Sequence, residues 1–137
     1  MTRPPLVLAA FAALMGAAGV ALAAASEHAG GGDLGRTAAL FLILHAAAAL
    51  AIAAHARLAP SRVLLAIGFV MEAGTLLFAA DLAIRAFTGV RLFPFAAPLG
   101  GSTMILSWLA LAIAFAAAAL RGPKSSLQAR SPPPTSC

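Results

Sequence analysis

The side chains able to do chemistry in this sequence are few, and the most informative of them interrupt apolar stretches. Glu72 stands near the middle of the stretch 63–87, and Asp81 and Arg85 follow one helical turn apart toward its end. His45 interrupts a second apolar stretch, 37–54. An ionisable group at mid-depth in a membrane-crossing segment costs about 2.5 to 3.5 kcal/mol and marks a candidate functional site. At about 100° per residue, Glu72 shares a helical stripe with Ser61, Gly68, Thr75 and Ala79, a small and weakly polar face suited to a protein interior. Asp81 lies about 900° further round, on the opposite side near Gly74 and Arg85, and roughly 14 Å along the axis. The two acids therefore cannot form a paired-carboxylate site. Asp81 and Arg85 are spaced to pair with each other at the outer interface, the Arg snorkelling toward water.

His45 shares a stripe with Ala38, Phe41, Ala48, Ala49 and Ile52, and counted from the turn at Ala59 and Pro60 it lies at a depth similar to that of Glu72. If the second and third helices pack face to face, a His45/Glu72 hydrogen bond would satisfy both groups. Such a pair could fix helix register or relay protons, and a lone Glu72 could instead face a partner protein or a ligand. His28 lies in the outer loop, and neither it nor His55 is level with His45, so bis-histidine haem ligation is not expected. Glu27, His28 and Asp33 would hold a divalent ion only loosely. Ser102 and Ser107 have no His/Asp arrangement, and neither a nucleophile elbow nor a phosphate-binding loop occurs. The candidate functional residues are thus Glu72, His45, Asp81, Arg85 and His28, with no catalytic constellation, cofactor or metal expected.

The elements that position these residues follow from composition. The chain has 137 residues, 62% hydrophobic and only 9% charged, whereas soluble domains carry about 25% charged residues. The solvent must be a membrane. Nine Lys and Arg give a formal charge of +5, but they are scattered beside apolar runs, a topology signal rather than a nucleic-acid patch. Cys137 is the single cysteine, so no disulfide framework forms within the chain. Four stretches reach membrane-crossing length, which is about 20 residues. The sequence predicts an all-α, four-helix transmembrane bundle over residues 1–121, with spans at about 5–25, 37–56, 62–87 and 102–120. Short loops make sequential helices antiparallel. Pro94, Pro98, Gly100 and Gly101 break the chain before the fourth helix, and residues 122–137 read as a polar, proline-rich, disordered cytoplasmic tail. Small residues at Ala12, Gly16, Gly19, Gly68 and Gly74 would let helices approach closely. Arg3, Arg57, Arg62, Arg121, Lys124 and Arg130 fall on one side and Arg36, Arg85 and Arg91 on the other, which places both termini in the cytoplasm. The first span, with Arg3, an apolar core and Ala21-Leu22-Ala23, also fits a cleavable signal peptide.

The stretch Arg91-Leu-Phe-Pro-Phe-Ala-Ala-Pro-Leu-Gly-Gly-Ser-Thr-Met-Ile-Leu-Ser-Trp108 resembles the YgdD-like small integral membrane protein family, a domain of unknown function. Pro98, Leu99, Gly100, Gly101 and Trp108 carry the likeness, with Ala97 in place of its usual threonine. Phe11 to Gly16, Val20 to His28, Thr37, Phe41 and His45, and Gly74, Phe78, Leu82 and Gly89 extend it over roughly residues 8–120. The resemblance implies four membrane helices, the first uncleaved, and no known activity. Glu72, Asp81 and Arg85 depart from the family pattern, which has apolar or serine residues there. Within the signature, Pro98 would close the loop, Gly100-Gly101-Ser102 would turn into the fourth helix with Ser102 as N-cap, and Trp108 would pack against another helix.

These readings point to a non-enzymatic accessory, assembly or scaffold subunit of a membrane complex in the bacterial cytoplasmic membrane. Its expected partners are membrane lipids and another membrane protein or a second copy, with no nucleic acid. The alternative is a small proton or solute conduit using a Glu72/His45 pair.

Overall fold

The computed structural model describes residues 3–121. It consists of four helices, α1 (Arg3–His28), α2 (Gly32–Leu58), α3 (Arg62–Thr88) and α4 (Ala96–Leu120). Each is long and apolar enough to cross a membrane, and no strand occurs among the described residues. The all-α four-helix expectation holds. The tail 122–137, with Lys124 and Arg130, lies outside the described residues.

Local chemistry sets the helix ends. Pro4 and Pro5 occupy the first turn of α1, where backbone N–H groups have no intrahelical acceptor to lose. α2 stops before Pro60, and Ser61 then caps α3 by accepting from the Leu64 N–H at 3.3 Å. Gly89 ends α3 in the left-handed conformation, φ 73°, with its N–H donating to the Arg85 carbonyl at 3.0 Å. α2 begins before the expected span, at Gly32, because Asp33 in its first turn complements the helix dipole.

The fourth helix requires a correction. It starts at Ala96, not at residue 102, and its N-cap is Phe95 in a left-handed conformation, φ 70°. Pro98 is tolerated inside the first turn for the same reason as Pro4 and Pro5. Gly100, Gly101 and Ser102 are therefore helical residues, and Ser102 is not a cap.

Sequential helices pack on each other, and α1 also touches α3, so α1, α2 and α3 form a three-helix core with α4 laid against α3. Two apolar clusters fill that core. One joins Leu8, Ala49, Ile52 and Met71; the other joins Met15, Ala38, Ala46 and Ala79. Small residues bring backbones together as expected at Gly19 and Gly74, and Gly68 makes room for the Leu8 side chain. A Cβ on Gly19 would lie 3.1 Å from the Ala39 carbonyl, and one on Gly68 would lie 2.7 Å from Leu8 Cδ2. Large apolar side chains such as Leu14, Val20, Leu58, Ile105 and Ile113 point outward, an arrangement that lipid rather than water accommodates.

Candidate functional site

Along α3, Glu72 and Thr75 lie between the two apolar clusters. On α3, Glu72 follows Met71 of one cluster and precedes Ala79 of the other, and its stripe with Gly68 and Thr75 is buried. Glu72 is 0% exposed, and neither carboxyl oxygen has a hydrogen-bond partner among the described residues. Its neighbour Thr75, also fully buried, instead satisfies its hydroxyl by donating to the Met71 carbonyl at 2.8 Å. Leaving a buried polar group without a partner costs on the order of 1 to 3 kcal/mol. Such a group in a native interior calls for an explanation.

His45 does not supply that partner. Its Nδ1 lies 2.9 Å from the Phe41 carbonyl, and the Trp108 indole N–H donates to its Nε2 at 3.2 Å. A carbonyl only accepts and an indole N–H only donates, so the pair of contacts assigns the neutral Nδ1–H tautomer. The ring is stacked on Phe41 at 5.7 Å and meets Trp108 edge-on at 6.1 Å. Phe41 in turn packs on Phe78 of α3 at 4.8 Å. The expected His45/Glu72 hydrogen bond is thus not formed. His45 reaches Trp108 on α4, whereas Glu72 continues the stripe of α3 on which Gly68 meets Leu8 of α1 and Ile52 of α2.

Asp81 contrasts with Glu72. It is 2% exposed, yet its Oδ1 accepts the Leu92 N–H at 2.8 Å and its Oδ2 lies 3.9 Å from an Arg85 guanidinium nitrogen. The expected Asp81/Arg85 pair is present. Its second task, fastening the α3–α4 connection through Leu92, was not foreseen, since an acid near a helix end does not reveal which loop N–H will fold back onto it.

Of the signature residues, Gly100 and Gly101 face α3, Pro98 is exposed in the first turn of α4, and Trp108 reaches α2. A Cβ on Gly100 would lie 2.6 Å from both the Gly74 carbonyl oxygen and the Phe78 nitrogen, and one on Gly74 would lie 2.8 Å from Thr103 Cβ. Gly100 is needed for backbone approach, not for a turn. Trp108 packs against another helix, as expected, but half exposed and through a specific hydrogen bond to α2.

At the end where α1 and α3 finish, Arg36 bridges Glu27 at 3.0 Å and Asp33 at 2.6 Å. His28 shares a shallow groove with Glu27 and Arg36. Both carboxylates of the loose ion site considered above are thereby engaged by a cation, and no group of three metal-ligating side chains forms among the described residues.

Surface grooves lie between the helices, and the linings of four of them do not include Glu72. One, of about 450 Å3, runs between α3 and α4 and is lined by Ala66, Ile67, Val70, Thr103, Ser107 and Ala110 among others.

Comparison with known proteins adds one finding. A family model described as a protein of unknown function (DUF423) matches residues 8–101, that is, α1 to α3 and the first turn of α4, including the Gly74–Gly100 contact but not Trp108. No curated protein and no solved structure matches the chain.

Proposed function

As the chain belongs to the DUF423 family of proteins of unknown function, we propose that it is an accessory or scaffold subunit of a complex in the bacterial cytoplasmic membrane, akin to the YgdD-like small membrane proteins. The observation that carries this reading is the α3–α4 groove. Ala66 and Ala110 on its walls are small, and the hydroxyls of Thr103 and Ser107 are spent on the Leu99 and Thr103 carbonyls at 2.8 Å each. An apolar groove between α3 and α4 whose small residues are internally satisfied admits the close approach of another transmembrane helix, from a partner protein or a second copy. Both termini lie in the cytoplasm in this reading, supported by the clustering of Arg3, Arg57, Arg62 and Arg121 at one end of the bundle.

Filling the groove with Ala66→Leu and Ala110→Leu tests the idea. The complex recovered from native membranes in mild detergent is expected to collapse to free subunit on a native gel, with helical circular dichroism unchanged. A parent chain that runs only as a free subunit, or a complex that survives both changes, removes the proposal.

The partnerless carboxyl of Glu72 favours a second reading, a proton conduit, now without His45. Glu72→Gln protein in liposomes would then lose proton flux that the parent supports; equal flux ends that reading.

A further inference from the structure

The acidic side chains of the whole sequence are Glu27, Asp33, Glu72 and Asp81. Two of them meet Arg36 and one meets Arg85, all at the end where α1 and α3 finish, while Glu72 is sealed in the interior. The opposite end, where α1 and α3 begin and α2 and α4 finish, holds Arg3, Arg57, Arg62 and Arg121 and no acidic side chain. Countercharge for these guanidinium groups has to come from outside the fold.

This end is also hollowed. A cavity of about 410 Å3 lies between the end of α2, the start of α3 and the end of α4, with His55, Ser61 and Arg121 at its polar rim and Phe115 and Ala118 on its apolar wall. The His55 ring is held edge-on against Phe115 at 5.3 Å. A second cavity of about 320 Å3 shares Pro60 and Ser61 with the first and adds Arg62 and Leu65. Between the two, the first turn of α3 presents the Arg62 and Val63 N–H groups, which have no intrahelical acceptor, beside the Leu64 N–H capped by Ser61, and the positive end of the helix dipole. A cationic rim over an apolar wall at the membrane surface matches a phosphate carrying acyl chains.

We propose that the paired cavities around Ser61 bind the phosphate of an anionic phospholipid, with Arg62 and Arg121 as the charge partners, His55 as a further donor and the acyl chains lying along Phe115 and Ala118. The phosphate chemistry is shared with free inorganic phosphate, and the test separates the two sources.

The purified full chain in a neutral detergent is titrated with phosphatidylglycerol, phosphatidylcholine and inorganic phosphate, and binding is read by native mass spectrometry. Phosphatidylglycerol is expected to bind more tightly than phosphatidylcholine, and the double variant Arg62→Gln/Arg121→Gln to weaken it about thirtyfold, from the attraction typical of two cations at an anionic surface. Arg36→Gln, at the opposite end, should leave binding unchanged. Arg62→Lys/Arg121→Lys keeps the charge and should restore most of it, which separates lost recognition from lost folding. Displacement of phosphatidylglycerol by millimolar inorganic phosphate assigns the site to free phosphate; resistance assigns it to the lipid. Equal binding of the two lipids with no phosphate adduct, an unaffected double glutamine variant, or an equal loss in Arg36→Gln overturns the proposal.

Discussion

The two sides of α3 treat polar groups in opposite ways. Toward α4, the helix carries Gly74, in near backbone contact with Gly100, and Asp81, whose two oxygens are engaged by Leu92 and Arg85. Toward α1 and α2, where Gly68 meets Leu8 and Ile52, it carries Glu72, equally buried, with no partner for either oxygen among the described residues. One carboxyl is thus a fastening of the fold, and the other is a group the fold carries at a cost. Where a buried polar residue is fully satisfied, structure is sufficient reason for it; where it is not, the group calls for an explanation of its own.

The contrast can be broken at four places. The largest effect is expected at Gly100→Val, because the atoms in the way, the Gly74 carbonyl and Phe78 nitrogen, are backbone and cannot rotate aside. Overpacking of this kind costs about 3 kcal/mol or more, so denaturant unfolding in detergent micelles should show a variant that barely folds. Asp81→Leu comes next, a loss of about 2 kcal/mol from stranding the Leu92 N–H and the Arg85 charge. Asp81→Asn, which keeps an acceptor, should lose less than half of that. Equal losses in the two variants would mean that the hydrogen bond to Leu92 carries none of the effect.

Glu72→Leu should go the other way, raising stability by about 1 kcal/mol, since removing a partnerless buried polar group and filling its volume with hydrocarbon relieves desolvation. A destabilised Glu72→Leu would show that the carboxyl has a stabilising partner and would erase the difference between the two sides. The smallest effect is expected at Trp108→Phe. It removes the donor to His45 Nε2 at a half-exposed site, and interhelical hydrogen bonds in membranes average about 0.6 kcal/mol. The same bond can be followed in the parent, because Trp108 is the single tryptophan and His45→Leu should change its fluorescence spectrum while Glu72→Leu should not.

Much of the fold was legible before any coordinates. Apolar runs of membrane-crossing length, separated by short loops with the turn at Ala59 and Pro60 and the break at Pro94 to Gly101, marked four helices, and the 100° rule correctly turned Glu72 inward. The N-terminus of α4 was misread because proline and paired glycines are turn signals in isolation. Pro98 is harmless within a first turn, and Gly100 answers to Gly74 on another helix, a requirement invisible along the chain. The His45/Glu72 pairing failed for a related reason: depth can be counted in residues, whereas the direction in which α2 presents His45 depends on how α2, α3 and α4 are rotated against one another.

What the sequence determined by itself is set by short-range and solvent terms: helix formation, span length, the membrane as solvent, and the clustering of arginines at one end. Tertiary structure alone decided which polar groups meet. It joined Trp108 to His45 across a separation of 63 residues, tied Leu92 to Asp81, and left Glu72 without a hydrogen-bond partner among the described residues. Those pairings depend on helix rotation and close approach, which small differences in packing among alanines and glycines select and which no single helix encodes.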